Sequence, residues 1–89
     1  MTKSQNGKHV PCSFAQFLVS LGSSALVHLG EIEEPGGGKT HQNLPLARHS
    51  IDVLELLKVK TEGNLDADEG RLLDALLTDL NQKYSAAQS

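Results

Sequence analysis

The stretch Ser13 to Gly30, SFAQFLVSLGSSALVHLG, constrains this chain more than any other. It is the longest apolar run, and small residues interrupt it at Gly22, Ser23, Ser24 and Ala25. Ser13 followed by Gln16 has the spacing of a capping box, in which the hydroxyl accepts from an unpaired amide and the Gln reaches back. Gly30 stands just past Leu29, where a left-handed C-terminal cap is expected. Between these ends Phe14, Phe17, Leu18, Leu21, Ala25 and Leu29 recur at helical spacing. The spacing predicts a helix over 14–29 with a start, a stop and a buried face. Gly22 inside it costs about 0.5–1 kcal/mol relative to Ala. Close packing at Gly22 and Ala25, within the fold or against another subunit, is the compensation expected.

Two more helices follow from the same logic. Asn43 is a candidate N-cap with Pro45 in the first turn, where a missing amide does no harm. The helix expected over 44–62 places Ala47, Ile51, Leu54 and Leu57 on one stripe, widened by Leu46, Val53 and Leu56. Lys58 and Lys60 sit in its last turns, favourable against the helix dipole, and Gly63 is read as its end. Asp66 with Glu69 repeats the capping box, opening a helix over 67–84 with Leu72, Leu73, Leu76, Leu77, Leu80 and Tyr84 as its stripe.

The fold class expected is all-α: three amphipathic helices in a small bundle or open array. The domain spans 13–85, with a polar tail at 1–12, a long loop at 31–43 and a short tail at 86–89. At 89 residues a single core is thin. Only about 60–65% of the unfolded surface becomes buried at this size. The apolar faces of helices two and three are wide for such a monomer, so a core shared in a homodimer or with a partner is expected.

Charge and composition narrow the function classes. A net charge of −3 does not favour long-range attraction to nucleic acid. The absence of Trp and an aromatic content of 3% argue against stacking platforms for bases. A lone cysteine, Cys12, forms no internal disulfide and fits a reducing compartment. Lys3 and Lys8 before an apolar run resemble a signal peptide. However, Gln16, Ser20, Gly22, Ser23, Ser24 and His28 break that run, which is too short and polar to span a bilayer. The expectation is a cytoplasmic protein with neither membrane nor nucleic acid as partner.

Candidate chemistry fails on context. GGGKT at 36–40 resembles the end of a phosphate-binding loop, but the required earlier glycine is Glu33. A helix, not a strand, precedes it, and Glu31, Glu33 and Glu34 would repel phosphate. His9, His28, His41 and His49 with Cys12 show no metal-ligand spacing. Cys12 beside Pro11 has no activating cation nearby, and the carboxylates fall at helix starts and exposed faces. No catalytic, cofactor or metal residue is expected, and the chain reads as a non-enzyme.

ALVHLGEI at 25–32, NLPLARHSIDVLELLKVKTEGNL at 43–65 and LLDALLTDL at 72–80 resemble the small bacterial proteins grouped as domain of unknown function 1844. The KTxGNL turn is the most specific part. Gly70 departs from the pattern, which has a better helix former there, and the GGGKTHQ loop lies where the family varies. The resemblance extends to the RomX type of polarity regulator. It implies a Ras-like GTPase as partner, a response-regulator-like protein beside it, and promotion of nucleotide exchange. A homodimeric structural or scaffold module is the alternative. For a partner surface the residues expected are Ser20, Ser24 and His28 on helix one and Glu31 and Glu33 in the adjoining loop.

Overall fold

A computed structural model describes residues 13–33 and 36–88. Three helices form: α1 (Phe14–Leu29), α2 (Leu44–Lys60) and α3 (Ala67–Gln88). Each begins on the cap that its sequence supplies. Ser13 Oγ accepts from the Gln16 amide at 3.0 Å, and Asn43 Oδ1 from the Leu46 amide at 3.1 Å. At α3 the box closes in both directions. The Glu69 amide donates to Asp66 Oδ1 at 2.8 Å, and the Asp66 amide donates to Glu69 Oε1 at 3.0 Å. Such a cap is worth about 1 kcal/mol.

The C-terminal ends differ from one another. Gly30, at φ 80°, closes α1 in the left-handed conformation. Its amide donates to the Val27 carbonyl and the Glu31 amide to the Leu26 carbonyl, the paired bonds of a Schellman motif. α2 stops at Lys60, two residues short of the expected 62. Thr61 turns back there: its amide and hydroxyl both donate to the Leu57 carbonyl, at 2.9 and 2.6 Å. Gly63, at φ 86°, then makes the turn rather than the helix end. α3 continues to Gln88, beyond the expected 84, and the segment 86–88 read as a tail is helical. Ala87 packs against the core, and that contact holds the last turn in place.

The helices run up, down and up, each touching both others. Lys58 Nζ meets Asp74 at 2.9 Å near the α2–α3 turn, and Arg48 meets Asn81 at 3.4 Å at the far end, so α2 and α3 are antiparallel. Arg48 also pairs with Asp52 and Glu55 and lies 5.1 Å from the Tyr84 ring centroid. α1 is tied to the start of α2 by the Asn43 amide, which donates to the His28 carbonyl at 2.7 Å.

The core takes Leu18, Ala25 and Leu29 from α1, Ala47, Ile51 and Leu54 from α2, and Leu73, Leu77 and Leu80 from α3. Each large side chain buried in this way contributes about 1.5–3 kcal/mol. Phe17, expected on the buried face, is 47% exposed. A helix in a bundle buries an arc, and Leu18, Gly22, Ala25 and Leu29 already fill it at spacings of four and three. Phe17 stands one residue, about 100° of turn, outside that arc. Leu46 and Leu56 likewise lie at the surface, and Val53 is half-buried.

Candidate functional site on the outer side of helix one

α1 has no Asp, Glu, Lys or Arg in its 16 residues, in a chain where 21% of residues are charged. Its inner arc is core. Its outer arc carries Ala15, Gln16, Val19, Ser20, Ser23 and Ser24, all exposed. Protein surfaces that dock other proteins are depleted in charge at their centre. The Schellman turn at Gly30 then directs the chain so that Ile32 and Glu33 share a surface with the last turns of α1. Ser23, Ser24, Val27, His28, Ile32 and Glu33 line a shallow groove there of about 320 Å³.

Three of the residues expected at a partner surface, Ser24, His28 and Glu33, meet in this groove. Ser20 is exposed on the same helix but does not line it, and neither does Glu31. Glu31 instead faces the end of α3. There Lys83 is held above its usual value, first by its hydrogen bond to Asp79 and in smaller part by the charge of Glu31. Gly22 and Ala25 are buried inside the bundle, so their close packing is used within the fold. A Cβ at Gly22 would stand 3.1 Å from the Leu76 side chain.

Val27 and Ile32 form the apolar part of the groove, and residue-by-residue reading passes over them. Their signal is the pair of aliphatic residues astride a glycine cap. His28 is half-buried at the helix end, and its carbonyl, rather than its ring, makes the tie to Asn43.

Among the described residues no polar or charged side chain is buried, and no three of His, Cys, Asp and Glu gather as for a metal ion. His9 and Cys12 lie outside the described residues. In the GGGKT segment, Gly36 and Gly38 both have φ 74° with open space around them, and Lys39 and Thr40 are exposed. No described helix is long and apolar enough to cross a membrane.

A family model described as Domain of unknown function (DUF1844) matches residues 11–86. The chain belongs to that family. The match takes in α1, α2, the groove, the α2–α3 turn and all but the last two residues of α3. No curated protein and no solved structure matches the chain.

Proposed function

We propose that this member of the family is a non-catalytic protein–protein interaction module that docks through the outer side of α1. One observation carries the reading: a helix without Asp, Glu, Lys or Arg lies at the surface of a charged chain, beside a groove that joins Val27 and Ile32 to Ser24, His28 and Glu33. Within that class the partner is a bacterial Ras-like small GTPase of cell polarity or motility, met in the cytoplasm alongside a response-regulator-like protein. This finer reading rests on the resemblance to the RomX type. Its physics is differential binding, since a regulator shifts a nucleotide equilibrium only by preferring one state of its partner.

The test is affinity capture from the native cytosol with GDP and with a GTP analogue, comparing the natural chain with Ser24→Arg. Nucleotide-dependent recovery of a Ras-like GTPase, lost in the variant while its helical circular dichroism is unchanged, is the expected result. Failure to recover a GTPase in either state overturns the regulator reading.

A second reading, a homodimeric scaffold module, is favoured by α2. Leu46 and Leu56 are 45% and 57% exposed and share one helical face with half-buried Val53. Light scattering at micromolar concentration that returns the 9.6 kDa of one chain would overturn it.

A further inference from the structure

At the end of the bundle away from the α1 groove, a second cavity opens where α2 passes into α3. It measures about 310 Å³. That is the lower edge of the range for ligand pockets and leaves room for an aliphatic side chain of a partner. Val59, Leu65 and Leu73 give it an apolar lining, and Gly70 lies on its wall.

Gly70 is unexplained by the chain itself. A glycine in a helix costs about 1 kcal/mol relative to Ala. At Gly22 the nearby Leu76 accounts for that cost, and at Gly63 the left-handed turn does. At Gly70 the backbone is helical, and a Cβ would meet no atom within 4 Å. The missing side chain keeps the cavity open and lets another chain approach the α3 backbone.

The charges on the lining select what approaches. Lys58 and Asp74 neutralise each other at 2.9 Å. Glu62, the remaining charged residue of the lining, is exposed and makes no ion pair among the described residues. We infer that this cavity receives one aliphatic side chain of a partner protein, with a basic residue beside it that meets Glu62. The inference extends the interaction-module reading to a second surface and does not depend on a GTPase being the partner.

The test is a nuclear magnetic resonance titration of the full chain with the capped dipeptides Ac-Leu-Arg-NH2 and Ac-Leu-Glu-NH2. The first is expected to give saturable shifts at Val59, Gly63, Leu65 and Gly70, at several-fold lower concentration than the second. Gly70→Leu, which plugs the cavity, is expected to abolish the response. Glu62→Lys, an exposed change that leaves the fold alone, is expected to reverse the peptide preference. It carries the test if Gly70→Leu disturbs folding. Three outcomes would each overturn the inference: no saturable shift with the arginine peptide, an equal response to both peptides, or a preference unchanged in Glu62→Lys. Because purified peptides are used, a failed GTPase capture leaves this result unaffected.

Discussion

Leu76 of α3 packs against the backbone of Gly22 in α1, with a Leu76 methyl 3.1 Å from the place a Cβ would take. The contact uses the small patch of α1 inside the fold and sets how closely the two helices approach. A larger side chain at Gly22 has to push Leu76 aside, and overpacking of this kind costs about 1–3 kcal/mol. Gly22→Val is therefore expected to lower the melting temperature. Leu76→Ala has its own cost, but the double variant should lose less than the sum of the two, because the shortened side chain makes room. Thermal denaturation of the four proteins measures the coupling, and strict additivity would exclude the contact.

Gly70 predicts the opposite sign. With nothing within 4 Å of its Cβ position, Gly70→Ala gains helix propensity without a clash. A stabilisation of about 0.5–1 kcal/mol is expected. A melting temperature that falls on this substitution would contradict the open geometry.

The reciprocal box at the start of α3 makes Asp66 the cap with most to lose. Its carboxylate accepts from the Glu69 amide, while Glu69 returns a bond to the Asp66 amide. Asp66→Ala breaks the first of these and is expected to cost about 0.5–2 kcal/mol in chemical denaturation. Asp66→Asn keeps an acceptor oxygen and should retain most of that stability. Equal losses for the two would assign the effect to charge rather than to the cap.

Much of this fold is legible in the residues. Ser13, Asn43 and Asp66 mark three helix starts, and the periodic leucines of α3 all lie in or against the core. The places where sequence reading misses share a cause: they depend on which contacts form in three dimensions. α2 ends at Lys60 because Thr61 leaves the helical dihedrals, at φ −102° and ψ 6°, and the Glu62 amide turns to the Val59 carbonyl; nothing in the local pattern weighs that against two more helical residues. Phe17 is apolar at helical spacing, yet the arc available on α1 is taken by Leu18 and Gly22. The candidate site is legible only in part. The polar members Ser24, His28 and Glu33 stand out as exposed residues, whereas Val27 and Ile32 join them only once the Gly30 turn is formed.

Two lysines give the fold a signature at high pH. Lys58 is held above its ordinary value of 10.5 by its hydrogen bond to Asp74 and by that residue's charge, and Lys83 is raised through Asp79. A cation whose pKa is raised by folding binds its proton more tightly in the native state. The native chain then carries more protons than the unfolded one across the window between the two values. The stabilisation is complete below 10.5, the unfolded value, and is lost as pH rises through the folded value. Both ammonium groups are at the surface, so the effect is small and is screened by salt. Stability measured by urea denaturation from neutral pH to above 10.5 is expected to decline at the alkaline end. Lys58→Met and Lys83→Met together should flatten that decline, leaving the neutral-pH helical spectrum as it was. A decline of unchanged steepness in the double variant would place its origin in other groups.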